Sequence, residues 1–173
     1  MPVTSSRGNK ARRISLDAAF LCFALALSYV EPLVPLSSVI PLPGFKLGFA
    51  NIAVIAAAYM LSLTDAAVIS LSRIAVYSIL FGSPSSFVFS LSGGIMAFTA
   101  ILVGKYMLTG ISGWIGISVI AAACHNIGQL VAAAIMLSSA SVVWYLPMLL
   151  TAAALTGTAS GVLLMYTMPI IYK

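Results

Sequence analysis

Beyond Arg13, the charged residues of this 173-residue chain are Asp17, Glu31, Lys46, Asp65, Arg73, Lys105 and Lys173, and apolar runs fill almost everything between them. Hydrophobic residues make up 62% of the chain and charged residues 6%, about a quarter of the charge of an average soluble domain. A domain this small leaves much of its surface to solvent, and this one has too few polar groups to cover that surface in water. A soluble globular protein is therefore excluded, and the solvent the sequence fits is lipid. The net charge of +5 does not point to nucleic acid. Arg7, Lys10, Arg12 and Arg13 crowd just before the first apolar run, as in a cytoplasmic flank.

Crossing about 30 Å of hydrocarbon takes about 20 helical residues, and a barrel would need alternating strands of about ten residues. The runs here are long and do not alternate. The sequence predicts six transmembrane helices, at about 14–30, 47–63, 64–81, 87–108, 114–137 and 142–166, with Thr64-Asp65 as the N-cap of the third and Gly82-Ser83-Pro84 as its break. Residues 31–44 carry prolines at 32, 35, 41 and 43, which block a regular helix. This segment is expected to fold back over the outer end of the bundle. With six alternating helices the basic flank, Lys105 and Lys173 fall on one side, so both termini are expected to be cytoplasmic. The expected organisation is a flank, 1–13, and one transmembrane domain, 14–173. A cleaved signal peptide at the start is disfavoured, since equally apolar runs follow and no A-x-A site precedes a polar domain.

An ionisable or strongly polar side chain inside a membrane helix is costly, so each is a functional candidate. Arg73 stands near the middle of the third helix, either held by Glu31 or backbone carbonyls or free to bind an anionic group. His125, Asn126 and Gln129 form a polar stripe on the fifth helix, since spacings of three and four share a side. They either bind a ligand or join helices by hydrogen bonds. Lys46 and Asn51 bracket the start of the second helix, where Lys46 alternatively snorkels to the interface. Ser90 and Ser92 lie in FSLSGG at 89–94, whose paired glycines also suit close helix packing. On the first helix Ala18, Cys22 and Ala26 recur every four residues as a small-residue face, for packing inside the protein or for a partner's helix. Cys22 and Cys124 lie far apart, and a lone His without ligand-spaced partners argues against a metal site. No cofactor is expected. The carboxylates Asp17, Glu31 and Asp65 are isolated, there is no DDxxD, and Gly104-Lys105 lacks a P-loop around it, so the chain is expected not to be an enzyme.

With KLGFAN at 46–51, LSR at 71–73, FSLSGG at 89–94 and HNIGQ at 125–129 in this order, residues 15–165 resemble the membrane family called Gx transporter or heptaprenyl diphosphate synthase component I. That family is grouped with the S components of energy-coupling factor (ECF) transporters. The resemblance implies a six-helix S-component fold in a bacterial-type cell membrane. It also implies capture of a small anionic or amphipathic molecule (a vitamin, quinone or isoprenoid precursor) from the outer face. Docking would be on a coupling subunit powered by two cytoplasmic ATPases. S components commonly dock through an AxxxA face on helix 1, matched here by Ala18, Cys22 and Ala26 with Cys in the middle. Lys46 and Arg73 would neutralise an anion, with hydrogen bonds from Asn51, Ser90, Ser92, His125, Asn126 and Gln129, and the 31–46 segment would close as a lid. The alternative is a non-catalytic subunit accessory to a prenyl diphosphate synthase or an electron-transfer assembly.

Overall fold

The computed structural model describes residues 4–33, 46–107 and 113–171. Among these there is no strand, and six α-helices follow one another. They are α1 (Thr4–Val30), α2 (Asn51–Met60), α3 (Leu63–Leu80), α4 (Pro84–Met107), α5 (Gly113–Met136) and α6 (Leu146–Ile171). Short 3-10 turns, Glu31–Leu33 and Ala140–Tyr145, follow α1 and precede α6. Five helices, all but α2, are long and apolar enough to cross a membrane.

The second helix departs from the expected span over 47–63. It has 10 residues, a rise of about 15 Å, half the hydrocarbon thickness. Its start is delayed because the residues before it are committed elsewhere. Gly48 has φ +87, a left-handed conformation that suits glycine, and the amides of Gly48 and Phe49 donate to Glu31 Oε1. Its end comes at Leu61 (φ −107, ψ −100), directly before the cap of α3.

Three further boundaries move for local reasons. Ser62, not Thr64-Asp65, caps α3: its backbone is extended and its Oγ accepts the Asp65 N–H at 3.1 Å. Asp65 then lies in the first turn, where a carboxylate favours the helix dipole. Helix α4 begins at Pro84, three residues before the expected Phe87. Ser83 Oγ accepts the Ser86 N–H at 3.2 Å, and proline, lacking an N–H, suits the first helical position. Helix α6 begins at Leu146 instead of 142, after the 3-10 turn, and runs on to Ile171. The basic flank is helical from Thr4, continuous with α1.

The short α2 is the centre of the bundle. It touches each of the other five helices, and residues 51–58 are all buried. Its alanines let the surrounding helices close around it, and Ala24, Ile69, Ile101, Ile117 and Leu164 complete this core. On one side α4, α5 and α6 form a layer whose crossings need glycine. A Cβ on Gly128 would lie 2.7 Å from Ser92 O, and Gly157 and Gly161 face the backbones of Val119 and Ile115. Side chains this small allow backbones to approach closely. On the other side α1 packs on α2 and α3. One end of that pair is tied by Arg13, which grips Asp65 with Nη2 at 2.6 and 2.8 Å and Nε at 3.0 Å. The far end closes through Tyr29 against Phe81, ring centroids 5.4 Å apart. Residues 1–3, 34–45, 108–112 and 172–173, and with them Lys173 and all of the expected 31–46 lid but its two ends, lie outside the described residues.

Candidate functional site

A buried polar centre lies at the end of the bundle that carries Glu31, assembled from α1, α3, α4, α5 and the turn before α2. Its frame is a pair of clamps on residues 46–50. Gln129 on α5 holds Lys46 by the backbone, accepting its N–H at 2.9 Å and donating to its C=O at 2.7 Å. Glu31, one residue past α1, accepts the amides of Gly48 and, at 3.2 Å, Phe49. The turn is thus fixed from two helices, and the Lys46 side chain lies over Tyr77 of α3, Nζ 3.5 Å from the ring centroid. That is a cation–π seat for an ammonium removed from water.

His125 is wedged between two glycines. A Cβ on Gly48 would lie 3.0 Å from His125 Cδ2 and 3.0 Å from Asn51 Nδ2, and a Cβ on Gly93 of α4 would lie 2.8 Å from His125 Cε1 and Nδ1. The absence of these two Cβ atoms makes the room the imidazole occupies. The ring lies against the Gly93 backbone, but neither nitrogen reaches hydrogen-bonding geometry among the described residues.

Arg73 is 2% exposed. Its Nη1 donates to Ser28 Oγ at 3.2 Å, while Nε and Nη2 have no hydrogen-bond partner among the described residues. Glu31 and Lys46 act on it electrostatically, yet among the described residues only Arg13 and Asp65 approach as an ion pair within 4.0 Å. Glu31 Oε2, Asn51 Nδ2, Ser90 Oγ and Asn126 Oδ1 are likewise buried without partners. Leaving a buried polar atom unpaired costs about 1–3 kcal/mol, more if charged, so native interiors rarely hold such a cluster without a ligand, ion or water to satisfy it.

The residues expected from sequence divide into two sets. Lys46, Asn51, Arg73 and His125 converge, and Ser90 is buried one turn before Gly93 on α4. Gln129 lies beside them, but its amide is spent on the Lys46 backbone. Asn126 turns toward α6, donating to Leu149 O at 2.8 Å. Ser92 donates to Gly128 O at 2.6 Å and joins α4 to α5. Ala18, Cys22 and Ala26 are exposed along α1, so that face is not packed against the described residues. Sequence reasoning did not select Gly48, Ser28 or Tyr77, and it saw Glu31 only as a counterion for Arg73. The signal for Glu31 was its place directly after the first apolar run, away from Asp17 and Asp65 at the other end of the helices.

Among the described residues no three His, Cys, Asp or Glu side chains group as metal ligands do. The family described as heptaprenyl diphosphate synthase component I matches residues 20–167. No curated protein matches the chain, and no solved structure matches it.

Proposed function

The chain belongs to the heptaprenyl diphosphate synthase component I family, and we propose that within a membrane it captures a small anionic molecule, as the S component of an energy-coupling factor importer does. The observation that carries this reading is the guanidinium edge of Arg73, 2% exposed and open among the described residues, at the end of the bundle where Asn51 Nδ2 and the His125 nitrogens are also buried without a hydrogen-bond partner among those residues. In a water-excluded interior such donors act strongly on an anion, because the local dielectric is low. Apolar pockets with a few convergent polar groups are the usual form of small-molecule sites.

The transport half of the reading draws support from α1. Its Ala18, Cys22 and Ala26 face is exposed, and small residues spaced by four allow another helix to approach closely. In this reading a coupling subunit docks there, two ATPases on the inner side supply the energy, and the chain itself catalyses nothing. Arg13 and Lys105 lie at the end opposite Glu31, Lys105 Nζ donating to Ala58 O. That end is the cytoplasmic one by the positive-inside rule, with the polar centre toward the outer face. A second reading, a non-catalytic membrane subunit of a prenyl diphosphate synthase, is favoured by the family's description.

Affinity purification of the tagged chain, co-expressed with the coupling subunit and ATPases of its host, separates the two. Stoichiometric recovery of that module, weakened by Ala26→Leu while the chain stays folded, is the expected result. Recovery of a prenyltransferase in its place, indifferent to Ala26→Leu, rejects the importer reading.

A further inference from the structure

We propose that the polar centre takes a ligand bearing a single carboxylate, gripped side-on by Arg73, and does not take a diphosphate. The inference deepens the capture reading, resting on it only in treating the buried centre as a ligand site.

Shape comes first. Nε and Nη2 form one edge of the guanidinium plane, and these are the two nitrogens of Arg73 without partners among the described residues, Nη1 being occupied by Ser28. Two parallel N–H groups on that edge match the two oxygens of a carboxylate, the fork geometry that distinguishes arginine from lysine. Asn51 Nδ2, next to Gly48 and His125, is a further buried donor without a partner among the described residues.

Charge decides between anions. Arg73 is a permanent cation. Lys46 lies over the Tyr77 ring, a seat suited to the ammonium form. Glu31 Oε1 accepts two backbone N–H groups, which suits the carboxylate form. His125 is 1% exposed and makes no ion pair among the described residues, and burying an unpaired charge is costly, so it adds none. The described centre therefore holds one net positive charge. A monocarboxylate neutralises it, whereas a diphosphate, with two or more negative charges, would leave an uncompensated negative charge in a buried site, a costly state at low dielectric.

The test uses simple anions as probes on the purified full chain in detergent, read as the thermal midpoint at matched ionic strength with chloride as the reference. Sodium acetate is expected to raise the midpoint saturably and to act at about tenfold lower concentration than sodium pyrophosphate, a preference of about 1.4 kcal/mol. Arg73→Lys keeps the charge but loses the fork, and is expected to abolish the acetate response. Glu31→Gln retains an oxygen for the Gly48 and Phe49 amides while raising the centre to two positive charges, and is expected to shift preference toward pyrophosphate by about tenfold. A wild-type response to pyrophosphate equal to or stronger than that to acetate overturns the proposal, as does a response to neither. The wild-type comparison stands even if Arg73→Lys does not fold. Recovery of the coupling module is scored separately, so an acetate preference without that module rejects the importer reading alone. The module without an acetate preference rejects this inference alone.

Discussion

Replacing Gln129 with leucine tests whether this side chain is a ligand contact or the clamp that holds the turn before α2. The substitution removes the 2.9 Å bond from the Lys46 N–H and the 2.7 Å bond to the Lys46 C=O. Gln129 is 0% and Lys46 5% exposed, so water does not replace them. Each orphaned backbone group costs about 1–3 kcal/mol. Because the two belong to one residue, their sum is not strictly additive, and about 2–5 kcal/mol is expected. Leucine recovers little, since the glutamine stem already fills the space. For a chain of this size about 2–4 °C accompanies each kcal/mol, so the midpoint should fall by roughly 4–20 °C. The assay is intrinsic Trp fluorescence on heating in detergent, at one fixed scan rate because membrane proteins often unfold irreversibly. Gln129→Glu should fare no better: it keeps the acceptor for the Lys46 N–H but sets a carboxylate oxygen against the Lys46 carbonyl. A Gln129→Leu midpoint within 1 °C or so of wild type would refute the clamp and return Gln129 to the ligand.

Two other perturbations follow from close approaches and caps. Gly93→Ala places a Cβ 2.8 Å from the His125 ring and 2.9 Å from the His125 carbonyl oxygen, so overpacking should cost about 1–3 kcal/mol. Gly104→Ala, whose Cβ meets Ile117 at an ordinary 3.4 Å, should be nearly neutral, and equal midpoints for the two variants would contradict the packing argument. Ser62→Ala removes the N-cap acceptor of the Asp65 amide and should cost about 1 kcal/mol, with Thr64→Ala much milder. The reverse order in thermal unfolding would restore the cap to Thr64.

Much of the architecture is legible in the linear sequence because a membrane makes simple demands. A run of apolar residues long enough to cross hydrocarbon forms a helix, since no other open structure satisfies its backbone there. The five long helices accordingly lie where the apolar runs lie, and Gly82-Ser83-Pro84 separates α3 from α4. Buried polar residues were legible for the same reason: Arg73, His125, Asn126 and Gln129 have to turn away from lipid, and each is buried.

What periodicity cannot supply is the partner each inward residue meets. Gln129 reaches a backbone 83 positions away, and Asn126, three residues earlier, faces a different helix. The shortness of α2 is likewise a tertiary result, because the Gly48 and Phe49 amides, which fall within the span expected for this helix, are taken by Glu31 from the end of α1. The small-residue face of α1 reads identically in sequence whether it packs inward or outward, and only the assembled bundle leaves it exposed. The sequence by itself therefore determined the solvent, the long helices and the inward polar set, through constraints that act residue by residue. The tertiary structure decided which of those residues clamp backbone and which keep free atoms, because hydrogen bonding depends on approach in three dimensions between segments far apart in the chain.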